Sequence, residues 1–171
     1  IPEGHQLLLS ETSKANYSWS WFDFGDQSLK GSIVIPKSLA LNLDLSGSTK
    51  TTVDGHNAKL NIKGSGVTEL IFSNSVAIDP TIELSGSSKL ELNNCQGKGQ
   101  WELSGLSTIK VTNCQLELLS IEANGSSNIE IKAGEIKDLK AEISGVSKAL
   151  LPKPSGSIDQ DISGVAKLDY Q

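Results

Sequence analysis

Six carboxylates and one lysine stand at equivalent places along the chain: Asp44, Lys63, Glu83, Glu102, Glu122, Glu142 and Asp161 each precede a glycine by three residues. Carboxylates in such a row can hold a divalent cation or a basic ligand. Gathered in pairs within a cleft, they can also serve as general acid and base. A second column follows the same glycines by three residues and reads Lys50, Glu69, Lys89, Thr108, Asn128, Lys148 and Lys167. Where the first column carries Lys63, the second carries Glu69, a reciprocal swap that predicts ion pairs across the corner within one repeat. Such a ladder of exposed pairs also has a purely structural reading, as weak salt bridges that fix register and keep the surface charged. A divalent-cation or basic-ligand stripe is the less favoured reading, best supported between Glu102 and Glu122, where Thr108 and Asn128 supply no lysine.

Other residues with chemistry are sparse. The two histidines are His5 and His56, the latter in the turn-like Asp54-Gly55-His56-Asn57. No His/Cys grouping has metal-ligand spacing, and neither a phosphate-binding loop nor a nucleophile elbow occurs. No catalytic residue, metal site or cofactor is therefore assigned. Five of the eight aromatic residues crowd into one short segment, Tyr17, Trp19, Trp21, Phe22 and Phe24. Trp19 and Trp21 are candidates for a platform that stacks on a sugar or another flat ligand. The favoured reading of the same segment, Tyr17 to Phe24, is a cap over the first rung of a repeat array.

The elements that must position these columns follow from the repeat itself. The glycines are Gly47, Gly66, Gly86, Gly105, Gly125, Gly145 and Gly164, separated by 19 or 20 residues, mostly within Ser-Gly pairs. Apolar residues recur four and two residues before each glycine (Ile82 and Leu84, for example) and four and six after it (Leu90 and Leu92). This alternation on both flanks is the pattern of half-buried strands. A further column, Ala58, Ala77, Gly97, Leu116, Ile136 and Gly156, predicts a third inward-facing side. Asn74, Asn94 and Asn113 align at a turn, followed by Ser75, Cys95 and Cys114, which places the only two cysteines in adjacent repeats. That proximity suits either a disulfide or two buried thiols.

Two strands, a tight corner and a third side in about 20 residues describe one rung of an all-β, single-stranded, right-handed parallel β-helix. With about 4.8 Å between rungs, seven of them make a rod of roughly 34 Å. The expected organisation is an N-terminal aromatic cap with a degenerate first rung over residues 1–40, then the solenoid over 41–171. No cap follows the last repeat, so the rod ends either in a short protected edge or against a second rod, end to end.

Composition narrows the partners. The 171 residues carry a formal net charge of −5, and all 15 basic residues are lysine. The acidic balance and the missing guanidinium groups exclude nucleic acid as the expected partner. No apolar run is long enough to span a membrane, and nothing at Ile1 reads as a signal peptide. Rungs of nearly constant length leave no long loops to wall a catalytic cleft, so a carbohydrate-active enzyme is the least favoured reading.

The units Glu83-Leu84-Ser85-Gly86-Ser87-Ser88-Lys89, Glu142-Ile143-Ser144-Gly145-Val146-Ser147-Lys148 and Asp161-Ile162-Ser163-Gly164-Val165-Ala166-Lys167 resemble the putative autotransporter adhesin (head GIN domain) family. The resemblance covers residues from about 40 to 171. It implies a β-solenoid without enzymatic activity in a secreted or surface protein, chiefly of Bacteroidetes, and hence the mature part of an exported protein. The expected function is a non-catalytic envelope or surface module that presents its ladders to a glycan or protein partner. A structural, self-assembling rod is the alternative. Candidate binding residues are Trp19, Trp21, Glu83, Glu102, Glu122 and Glu142.

Overall fold

A computed structural model describes residues 38–171. The expected aromatic cap falls outside the described residues. Among those described there are eleven strands and no helix. They are β1 (Leu41–Leu45), β2 (Ser48–Asp54), β3 (Asn57–Gly64), β4 (Val67–Leu84), β5 (Lys89–Leu103), β6 (Thr108–Ala123), β7 (Asn128–Ile131), β8 (Gly134–Ile143), β9 (Lys148–Leu151), β10 (Ile158–Ile162) and β11 (Lys167–Tyr170). Every pairing is parallel and joins a strand to its counterpart about 20 residues away, so the chain winds as a β-solenoid of about seven turns.

The period-two alternation becomes one continuous core. Ile62, Ile82, Trp101, Ile121 and Ala141 stack on one side, and Leu70, Leu90, Ile109, Ile129 and Ala149 on another, all buried. No single rung could bury these faces, because each covers only its neighbour. Trp101, fully buried, is the largest side chain in the stack, and the chain makes room for it locally. A Cβ on Gly99 would lie 3.1 Å from Trp101 Nε1 and 3.0 Å from Leu119 Cδ1. Two turns on, the column narrows to Ala141.

The corners explain the repeated glycine. All seven have φ between 72° and 84°, the left-handed region that side chains with a Cβ rarely adopt. From Gly66 onward, an added Cβ would fall 2.5–2.9 Å from the carbonyl oxygen of the preceding corner glycine. The corners stack this tightly because backbone hydrogen bonds run through them: Ser87 N–H donates to Gly66 O at 2.7 Å and Leu106 N–H to Gly86 O at 2.7 Å. Just inside the five corners from Gly66 to Gly145 lies a buried hydroxyl column, Thr68, Ser88, Ser107, Ser127 and Ser147. Ser88, Ser107 and Ser127 each donate to the carbonyl three residues earlier at 2.7–2.8 Å, closing the turn from within.

The third side departs from the expected alignment. Between Phe72 and Val76, β4 advances four residues while β5 advances two, from Leu92 to Asn94. Asn74 therefore does not stack on Asn94; it bulges with φ 50° and its Nδ2 donates to Asp54 Oδ1 at 2.9 Å. Asn94 and Asn113 do pair, and the column expected to begin at Ser75 runs instead Ala77, Cys95, Cys114, Gly134. Ser75 serves the turn of the preceding rung, accepting from the backbone N–H of His56 at 3.1 Å. The expected small-residue column also divides: Ala58 and Ala77 continue into Cys95, while Gly97, Leu116 and Ile136 form a separate stack. Bulges on this side absorb the difference between 19- and 20-residue repeats, so counting from a corner loses register there.

Candidate functional site

The acidic column forms as spaced. Asp44 pairs with Lys63, Lys63 with Glu83, Glu83 with Glu102, Glu102 with Glu122, Glu122 with Glu142, and Glu142 with Asp161. All but Asp161, whose strand is exposed throughout, stand between two buried residues and so project outward. Beside the column runs a shallow groove of about 360 Å³, with Asp44, Lys63, Glu83, Glu102 and Glu122 along one wall. Ser65, Ser85, Ser104 and Asn124, the residues that precede the corner glycines, form the other wall, and Leu84 and Leu103 lie at its floor. Spacing singles out the carboxylates, whereas these polar residues occupy corner positions. Their signal was present, since every corner glycine follows a serine except Gly125, which follows Asn124.

The ion pairs do not cross the corner. Lys63 Nζ lies 2.8 Å from Glu83 Oε2 in the next rung of its own column. Lys50 Nζ lies 2.8 Å from Glu69 Oε2, also one rung away, and Lys89 approaches the other oxygen of Glu69 at 3.5 Å. Stacking brings successive members of a column about 4.8 Å apart, and the swap of Lys63 and Glu69 serves pairing along each column. The ionisations respond accordingly: Lys63 is held above its ordinary value by the hydrogen bond and charge of Glu83, and Glu69 below its own by Lys50. All these groups are open to solvent, so each pair contributes little to stability.

The middle of the column is different. Among the described residues, Glu102 and Glu122 enter no ion pair. Glu122 accepts a hydrogen bond from Asn124 Nδ2 at 3.3 Å, and Asn124 Oδ1 in turn accepts from Ser144 Oγ. Glu142 is met by Lys140 of its own strand at 3.0 Å. The groove thus holds two adjacent carboxylates outside any direct ion pair, flanked by hydroxyl and amide groups. This arrangement can accept hydrogen bonds from sugar hydroxyls or pair with amines.

Of the candidate residues, Glu83, Glu102, Glu122 and Glu142 share one stripe, while Trp19 and Trp21 lie outside the described residues. Among the described residues there is no group of three or more His, Cys, Asp or Glu side chains suited to a metal ion, and no helix long and apolar enough to cross a membrane. His56 is buried in its turn, edge-on to Phe72 with ring centroids 6.3 Å apart, and burial lowers its pKa.

The chain has no significant match among curated proteins or among solved structures. A family comparison agrees with the architecture over nearly the whole chain. Residues 23–170 match the family described as putative auto-transporter adhesin, head GIN domain, and the chain belongs to that family.

Proposed function

We propose that this protein is a non-catalytic, adhesin-like surface module that binds a polymer or protein partner along the stripe of Glu83, Glu102, Glu122 and Glu142 and the groove beside its first three members. The observation that carries the reading is the unneutralised pair Glu102 and Glu122, set opposite Ser104 and Asn124 on a flat, regularly repeating face. Uniform rungs leave the face open along its length, which suits an extended ligand better than a small molecule. The family supports an adhesin-like role and a surface or exported location. The partner class is a surface glycan or a protein segment rich in hydroxyl or amine donors, with no resident cofactor. A glycan array together with a pull-down from envelope fractions tests this, using wild type against Glu102→Gln/Glu122→Gln. Specific binding that the double variant loses supports the site. Binding unaffected by the change, or absent from both assays, overturns it.

The alternative of a self-assembling rod draws on one observation. In the last described rung, β10 is exposed throughout, and its inward-facing Ile158 and Ile162 are 42% and 37% exposed. Light scattering that shows a strict monomer at high concentration ends this alternative.

A further inference from the structure

Cys95 in β5 and Cys114 in β6 are direct register partners on neighbouring turns. Both are buried, at 2% and 0% exposure, and both are free thiols. The column that holds them is bounded by Ala77 on one side and Gly134 on the other, so each cysteine has the other as its only thiol neighbour. Paired residues of adjacent parallel strands lie about 4.8 Å apart, inside the range of roughly 4.4–6.8 Å between Cα atoms that a disulfide spans. We propose that Cys95 and Cys114 are a built-in covalent staple, closing an inter-rung disulfide when the chain folds in the presence of a low-molecular-weight disulfide.

The chemistry is a two-step exchange. Cys114, as thiolate, attacks one sulfur of the small disulfide, forming a mixed disulfide and releasing one small thiol. Cys95 then loses its proton and attacks the Cys114 sulfur, forming the Cys95–Cys114 bond and releasing the second small thiol. Two protein thiols are oxidised and one small disulfide is reduced to two thiols, so electrons and protons balance. The order of attack follows the surroundings. Contact with Cys95 favours the thiolate of Cys114, whereas Cys114 and burial together push Cys95 up. Cys114 Sγ also lies 3.9 Å from the carbonyl oxygen of Glu135 in the next turn. In the core the pair is shielded from reagents, so the bond closes most readily during folding, when stacking of β6 on β5 first brings the sulfurs together.

The test uses the full chain, refolded from denaturant in a glutathione redox buffer and, in parallel, incubated folded with oxidised glutathione. After either treatment the protein is denatured, alkylated and examined by intact mass and non-reducing peptide mapping. The expected product is a monomer lighter by two hydrogen atoms, unalkylated, with one peptide pair joining Cys95 to Cys114. Its melting temperature should exceed that of the reduced form by roughly 5–10 °C. Cys95→Ser and Cys114→Ser should each abolish that shift. Two alkylatable thiols after refolding, or cross-links only between chains, overturn the proposal.

Discussion

At Gly105 a Cβ would sit 2.6 Å from the carbonyl oxygen of Gly86, while at Gly47 it would meet nothing within 4 Å. Both glycines share a left-handed φ, so comparing them separates backbone strain from stacking. Gly47→Ala should cost about 1–2 kcal/mol, the penalty of the conformation alone. Gly105→Ala should cost clearly more, because the neighbouring corner must also move, and chemical denaturation of the two variants measures the difference. Trp101 offers a second contrast: its indole N–H is buried without a partner. Trp101→Phe should therefore cost less than about 1.5 kcal/mol, whereas Trp101→Ala, leaving a cavity in the stack, should cost about 3–5 kcal/mol. Similar losses for both would show that the indole is held by more than packing. At His56 the folded-state pKa is depressed by burial, so the native state favours the neutral ring. Its contribution to stability is complete above about pH 6.5 and is lost as pH falls through the lowered folded value. Unfolding free energies measured across that window should slope downward with acid, and His56→Gln should flatten the slope.

Along the acidic column, stacking enforces a proximity that the charges oppose. Exposed like charges about one rung apart repel by about 1 kcal/mol in water, less with salt. Glu102→Lys would place a cation between Glu83 and Glu122, as Lys63 stands between Asp44 and Glu83. The expected result is a neutral or slightly higher stability, by less than about 1 kcal/mol, with loss of partner binding. A residue whose replacement leaves the fold intact and removes binding is serving a ligand; a destabilised variant would return the column to a purely structural role. The sequence already made this column legible, because its members lie within four residues of a corner glycine and no bulge intervenes. The second wall of the groove was not legible as a wall. Ser85 and Ser104 read as turn formers until stacking lined them up beside Glu83 and Glu102.

Among the described residues every strand pairing joins neighbouring turns, with Gln171 Nε2 reaching two turns back to the carbonyls of Ile131 and Lys132, so stability is close to a sum of turn-to-turn terms and is not uniform along the rod. The turns built from β4, β5 and β6 bury long apolar stretches on both sides. In β10 every residue is exposed, and β11 keeps only Leu168 and Tyr170 half-buried. Amide hydrogen exchange should find β10 and β11 least protected and β5 and β6 most protected. Uniform protection would mean that the rod unfolds as one cooperative block.

Much of the architecture was determined locally. A glycine every 19 or 20 residues, flanked on both sides by alternating apolar positions, leaves few folds other than stacked turns, because such faces can be buried only against copies of themselves. Register within a few residues of each corner was determined too, since each corner glycine resets the count. The third side was decided only in three dimensions. There the bulge at Asn74 shifted Ala77, not Ser75, beside Cys95, and no local signal marks where an extra residue will be accommodated. The direction of ion pairing was likewise a tertiary matter. Lys63 had an acid across its corner and another one turn away, and stacking distance chose Glu83.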